Sequence, residues 1–233
     1  HSIAAAEASG STILFPANTY VFSTQSPRCV NEDAPRVPTT RKGRVRLEME
    51  QMLEQAAQQR GVKVIALRAG DFFGPGVANS WFTRALATDG LSTRVIRVPA
   101  TPGAAHAWAY VPDLAEAFAR FVDRRASLPA FTLAHFSGHC DATGVEMANA
   151  VQRAIGRAGI PLRPFPWFAL RLAAPFVPFL REVREMAWLW ETSLQLDNTK
   201  LRTLIGEEPH TPLDEAVSTA LEPRGLRRLP AAT

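Results

Sequence analysis

Cysteine is nearly absent: the 233 residues hold two, Cys29 and Cys140. They lie far apart and outside any metal or redox spacing, which excludes a disulfide framework and points to a reducing compartment, the cytoplasm. No uninterrupted apolar run reaches the length of a membrane span. The most lipophilic region, residues 165–190, is broken by Pro166, Pro175, Pro178 and several charges, so it reads as a helical subdomain rather than a membrane-surface anchor. Charge of one sign is also scarce. A net +4 from 26 basic and 22 acidic side chains, with the arginines scattered, argues against nucleic acid as a partner. Two local basic clusters remain, Arg41 to Arg46 and Arg224 to Arg228, the second read as a solvated tail. There is no internal repeat, no low-complexity tract, no signal-like segment and no starting methionine. The chain opens with IAAAEASG, which looks like the end of a helix closed by Gly10 and suggests a fragment of a longer protein.

What is present is a composition of 46% hydrophobic and 21% charged residues, enough for one large or two modest domains with a real core. The stretch VKVIALRAGDFFGPG, residues 62–76, carries the most information. A continuous apolar run without alternation reads as a strand buried on both faces, as in a parallel sheet under helices. It empties into a turn with Gly70, Gly74, Gly76 and a proline, and in such sheets the ligand crevice lies where strands end and loops begin. Those glycines are expected to let backbone approach a ligand.

Ahead of it, residues 11–15 form a short strand ending at Pro16-Ala17-Asn18. After a polar loop, Thr39 or Thr40 caps a helix with Val45, Met49, Met52, Leu53 and Ala56 on one apolar face and Gly61 as its stop. Strand, helix, strand is a βαβ unit, whose handedness places Asn18 and Gly70 at the same sheet edge. Beyond the elbow, residues 79–88 read as a short helix and 94–98 as a strand. Asp113, with Glu116 three positions on, reads as a helix cap ahead of inward-facing Ala117, Phe118, Phe121 and Val122. Residues 131–135 form a strand and 143–157 an amphipathic helix. From Leu162 the composition shifts to Pro, Trp, Phe and Arg, marking a second lobe.

Four pieces in order resemble the back two-thirds of an extended short-chain dehydrogenase of the NAD-dependent epimerase/dehydratase family: ILFPANTYVFS, PTTRKGRVRLEME, LRAGDFFGPG with HAWAYVPDLAEAF, and LDNTKLRTLIGEEPHTPLDEAV. The resemblance implies an α/β fold, a Rossmann-type doubly wound parallel sheet lacking its N-terminal units, with a smaller, mostly helical substrate lobe. Residues 1–76 and 104–138 would form the partial nucleotide-binding domain, and 77–103 and 141–233 the substrate lobe. It further implies NAD or NADP as cofactor, a small-molecule substrate, and a homodimer among the assemblies it allows. No GxGxxG or GxxGxxG occurs, so the glycine-rich turn that would hold the pyrophosphate is missing and the cofactor site is incomplete.

At the family's Ser or Thr, Tyr and Lys positions stand Asn18, Lys42 and Arg46. Lys42 and Arg46 are four apart on one helix face and can reach the same crevice. Arg46 can donate to ribose hydroxyls, Asn18 to a carbonyl oxygen, and Lys42, if buried beside Arg41, Arg44 and Arg46, moves towards proton transfer. Tyr20 is a second candidate proton donor. Catalytic candidates are therefore Lys42, Asn18 and Tyr20. Cofactor candidates are Arg46 and the strand ends Pro16, Ala17, Ala69, Gly70, Asp71 and Phe72. The alternative for the basic helix start is solvation, although cations oppose the helix dipole there.

Loops after the elbow line the substrate cleft in the family, so Asn79 and Trp81 are substrate candidates, with Phe72, Phe73 and Phe82 suggesting an apolar face or core packing. His106, the third substrate candidate, stands where many members that act on sugar nucleotides carry an arginine. Arginine there would clamp a diphosphate bidentately and histidine cannot, which disfavours a nucleotide sugar. Trp108 and Tyr110 read as core in at least one case. His135, His139 and Cys140 fit no metal-ligand spacing, and no metal is expected. Two functions follow: an NAD(P)-dependent oxidoreductase or epimerase with an atypical catalytic set, or a catalytically silent dinucleotide-binding sensor or scaffold.

Overall fold

A strand buried on both faces needs a helix layer on each, and residues 64–69 have both. The computed structural model describes residues 1–157 and 159–222, so the cluster Arg224 to Arg228 lies outside the described residues. In chain order the elements are α1 (Ser2–Ser9), β1 (Ile13–Asn18), β2 (Cys29–Val30), α2 (Arg41–Arg60), β3 (Val64–Ala69), β4 (Asp71–Phe73), β5 (Ile96–Val98), β6 (His106–Tyr110), α3 (Val111–Asp123), β7 (Phe131–His135), β8 (His139–Asp141) and α4 (Glu146–Ile155). There follow β9 (Leu162–Pro164), α5 (Trp167–Ala173), α6 (Pro178–Glu185), α7 (Trp188–Glu191), β10 (Gln195–Leu196), α8 (Thr199–Ile205) and α9 (Leu213–Leu221).

The central sheet runs β1-β3-β7, all parallel, with Asn18 opposite Ala69 and Arg68 opposite His135. Strand β1 therefore ends level with the elbow, as the handedness of the βαβ unit requires. Side chains alternate across β3. Ile65, Leu67 and Ala69 pack with Leu114, Ala117 and Phe121 of α3 and Leu201 and Ile205 of α8. Val64 packs on the other face with Leu53, Ala56 and Ala57 of α2 and Ala6 of α1. Helices on both faces of a parallel sheet make a Rossmann-like α/β architecture. A second sheet, β4-β6-β8, starts at the elbow; β4 runs parallel to β6, and β8 antiparallel. Strand β5 pairs with β9 and β2 with β10.

Local signals set α2: Thr40 Oγ1 accepts from Gly43 N at 2.9 Å, and Gly61 ends the helix at φ 66°. Its buried face is the expected one only in part: Leu53 and Ala56 are buried, with Gly43, Glu50 and Ala57, while Val45, Met49 and Met52 are exposed. Gly43 permits the approach to the turn after β1: a Cβ there would lie 2.2 Å from Tyr20 O. Asp113 also departs from expectation. Rather than capping α3, which begins two residues earlier, it is buried and accepts from Thr211 N and Oγ1, both at 2.7 Å, tying α3 to the approach of α9. Residues 79–88 form only a widened helical turn, Phe82–Leu86. Trp108 and Tyr110 are both core, as are Phe73 and Phe82.

Candidate active-site cleft

Three elements converge because the parallel sheet ends them together. β1 stops at Asn18, the elbow follows β3, and the first turns of α2 cross beside the tight turn Thr19–Val21. Asn18, Tyr20, Arg46, Gly70, Asp71, Phe72, Asn79 and Trp81 line one cavity of about 260 Å³. Tyr20 is shared with two neighbours. One, of about 680 Å³, runs between Arg41, Lys42 and Arg46 of α2 and Arg181, Glu182 and Glu185 of α6. The other, of about 320 Å³, has Trp81, Phe165, Leu170, Phe179 and Met186 as an apolar wall, with Lys42, Arg84 and Glu182 as polar groups.

Asn18 Oδ1 accepts from Tyr20 N at 3.1 Å, which orients the amide, while its Nδ2 has no partner among the described residues. Arg46 likewise has no hydrogen-bond or ion-pair partner among them, yet lines two of the cavities. Burial pushes the Tyr20 phenol up, helped by the Asp71 carboxylate and opposed by the Arg46 guanidinium. Tyr20 therefore keeps its proton near neutrality and can act as a donor.

Beneath this surface lies a buried charge cluster that had no place in the expectations from sequence. Arg68, on the α2 face of β3, gives two bonds to Glu50, at 2.9 and 2.8 Å, one to the Asn18 carbonyl at 2.6 Å, and one to His135 Nε2 at 3.2 Å. Arg36 adds a bond to Glu50 at 3.2 Å. His135 Nδ1 lies 3.1 Å from Val30 O, and burial, then the Arg68 charge, pull its pKa from 6.5 down to about 3. With Nε2 unprotonated and accepting the hydrogen bond from Arg68 Nε–H, the Nδ1–H donates to Val30 O. One strut thus fixes the end of β1 and the middle of α2. The signal was available: an arginine inside an apolar strand covered on both faces requires a buried acid, and Glu50 lies one helical turn past Arg46.

Several expected residues take other places. Lys42 is not buried among arginines. Its side chain is 37% exposed, with Nζ 3.1 Å from Glu182 Oε2. Glu185 Oε1 accepts from the backbone of Arg41 and of Lys42, so α6 supplies the acidic cap that offsets the basic start of α2. Ala17 and Ala69 are fully buried in the sheet and Pro16 is exposed; none lines the three cavities at Tyr20. Gly70 does line the cleft, but its missing Cβ serves packing, since one would sit 2.0 Å from Ala107 O of β6. His106 also stays out of these cavities. It is buried, stacked on Trp190 at 3.7 Å, with Nε2 2.8 Å from Asp71 Oδ2 and Nδ1 3.3 Å from Leu189 O. Its work is to hold Asp71, which does face the cleft. Among the described residues no three His, Cys, Asp or Glu side chains gather as a metal site.

A family profile described as RmlD substrate binding domain matches residues 2–175. No curated protein matches the chain in sequence. Among solved structures, a UDP-galactose 4-epimerase is similar with TM-score 0.69 and 19% identity, over 95% of this chain and 66% of that one. L-threonine dehydrogenase from Phytophthora infestans gives 0.72 and 15%, over 94% and 67%. UDP-glucuronic acid 4-epimerase from Bacillus cereus, solved with UDP-glucuronic acid and NAD, gives 0.69 and 13%, over 91% and 60%. The chain spans 60% to 67% of the length of these three structures, and at such identities the likeness speaks for the fold.

Proposed function

The chain belongs to the RmlD substrate binding domain family, and from that membership and the cleft at Tyr20 we propose an NAD(P)-dependent oxidoreductase or epimerase of the epimerase/dehydratase type with an altered proton-transfer set. The observation that carries this is the grouping of two donors without a partner among the described residues, the Arg46 guanidinium and Asn18 Nδ2, with a protonated Tyr20 on the 260 Å³ cavity at the carboxyl ends of parallel strands. Those donors fit the ribose and carbonyl groups of a nicotinamide nucleotide. When bound, NAD or NADP supplies the hydride acceptor or donor. Arg46 would hold ribose hydroxyls through its forked N–H groups. Asn18 Nδ2 would donate to a substrate carbonyl oxygen, and Tyr20 Oη would hold or deliver the proton there. The glycine-rich turn for the pyrophosphate is not among these 233 residues, so they address only the nicotinamide end.

The apolar wall of the 320 Å³ cavity supports a small molecule with an apolar part, and a fully engaged His106 has no donor for a diphosphate. In this assignment residues 1–76 and 104–138 form the cofactor side and 77–103 and 141–233 the substrate lobe of a cytoplasmic protein, with a homodimer as the candidate assembly. A second reading, a silent dinucleotide-binding sensor or scaffold, is favoured by one observation: the nearest equivalent of a catalytic base, Lys42, is occupied by Glu182.

Hydride transfer, read as nicotinamide absorbance over a panel of secondary alcohols, ketones and nucleotide sugars, separates the two. Tyr20→Phe is expected to lower turnover about 10²- to 10⁴-fold while dinucleotide affinity holds, and Lys42→Ala to change it little. A larger loss in Lys42→Ala than in Tyr20→Phe would move the proton to Lys42. Dinucleotide binding with no transfer by any variant would establish the silent binder.

A further inference from the structure

The hairpin formed by α5 and α6 carries a group of exposed apolar side chains, of which Phe179 also lines the cleft. Phe168 is 76% exposed, Leu172 62%, Phe176 85% and Phe179 58%, all within twelve residues of sequence. Phe168 and Leu172 stand one helical turn apart on α5. Phe176 and Val177 form the connecting tip between Pro175 and Pro178, whose fixed φ angles stiffen the turn. The roots of the hairpin are anchored: Leu170 and Ala174 are buried, Trp167 Nε1 donates to Pro99 O at 2.8 Å, and Glu185 caps α2. The crown is therefore held out by a fixed base, with its apolar side chains in water. Exposed apolar groups in such number mark an interaction surface.

Charge selects the partner. The acids of α6 point towards α2, Glu182 to Lys42 and Glu185 to the helix start. Arg181 and Arg184 of the same helix are exposed and in no ion pair among the described residues, as is Arg41, which lines one cavity with Arg181. Protruding phenylalanines, with exposed Arg181 and Arg184 following on the same helix and in no ion pair among the described residues, fit an anionic lipid surface, where aromatic and aliphatic side chains enter the interface and arginines meet head groups. Against the expectation from sequence that this region is no membrane-surface anchor, we propose that the α5–α6 tip docks this protein on the surface of an anionic bilayer without crossing it. No helix among the described residues is long and apolar enough to span one. Phe179 also lines the apolar cavity at Tyr20, so docking brings the mouth of the cleft to the lipid surface. The proposal stands apart from the dinucleotide reading, since it is tested with no cofactor present.

Flotation of the full chain with vesicles of mixed phosphatidylcholine and phosphatidylglycerol, and with phosphatidylcholine alone, tests it. The expected result is co-flotation with the anionic vesicles, weakened by salt. The Phe168→Ser/Phe176→Ser variant should lose at least about tenfold in partitioning, and Arg181→Gln/Arg184→Gln about fivefold for each arginine. Both variants change exposed side chains, and unchanged circular dichroism and thermal midpoints confirm their folding. Wild-type protein that stays unbound at low salt overturns the proposal, as does unaltered flotation of the Phe168→Ser/Phe176→Ser variant. A dimer in light scattering that this variant splits, without vesicle binding by wild type, would assign the patch to a second copy and also overturn it.

Discussion

The two walls of the cleft are built by opposite means. On the sheet side, Asn18, Tyr20 and Arg46 stand over a strut in which Arg68 and Glu50 are 0% and 1% exposed at the side chain, with His135 closing the cluster. On the α6 side, Lys42 and Glu182 meet with 37% and 60% exposure, above a hairpin whose apolar crown is bare. A buried ion pair whose charges are mutually compensated holds geometry tightly, because losing one partner strands the other in a poorly solvating interior. An exposed pair competes with water and salt and holds little. The sheet wall is thus a fixed template, while the Lys42–Glu182 contact between α6 and the start of α2 can be remade at low cost.

The comparison breaks first at Glu50. Glu50→Ala should destabilise the fold by about 3–5 kcal/mol in denaturant unfolding, since Arg68 is left buried and unpaired. Joint replacement, Glu50→Leu with Arg68→Met, should recover much of that loss. If the single and joint variants unfold alike, Arg68 finds solvent and the strut is not what fixes the wall.

Acid gives a smaller, graded effect. His135 has a folded pKa of about 3 against an ordinary 6.5, and His139 about 4, in both cases because burial disfavours the charged ring. The unfolded chain takes up these protons first, so the stability contributed is present above about pH 6.5 and lost as pH falls towards 3. Each group contributes a slope of at most about 1.4 kcal/mol per pH unit in that window. Glu208, pushed up by burial, acts in the opposite sense, so the discriminating measurement is His135→Gln, which should flatten the acid limb of stability against pH. An unchanged limb would place the titration elsewhere. Smallest of all, Lys42→Ala should cost no more than about 1 kcal/mol and less in high salt. A larger, salt-independent loss would show the α6 wall to be as fixed as its partner.

Those elements whose signals are local were legible in the sequence. Thr40 and Gly61 bound α2, an unalternating apolar run marks β3, and the βαβ order brings Asn18 level with the elbow. The inward face of α2 was legible from apolar spacing only at Leu53 and Ala56, because Gly43 and Glu50 face inward for reasons that lie on other elements: the Tyr20 carbonyl and Arg68. Glu182 and Glu185 were missed since they meet α2 across some 140 residues of sequence. His106 and Asp113 were recognised as special but misplaced. Each is a buried polar group whose partner, Asp71 or Thr211, depends on strand and helix packing that spacing alone does not encode.

The central claim is that the sheet wall presents Arg46 to a dinucleotide, and calorimetric titration of NAD and of NADP into wild-type protein and Arg46→Ala tests it most directly. The account predicts saturable binding of one or both by wild type and a loss of about tenfold or more in Arg46→Ala, as for removal of charge-assisted hydrogen bonds, with the unfolding midpoint unchanged. Equal affinities in the two proteins, or no saturable binding by wild type, would contradict it.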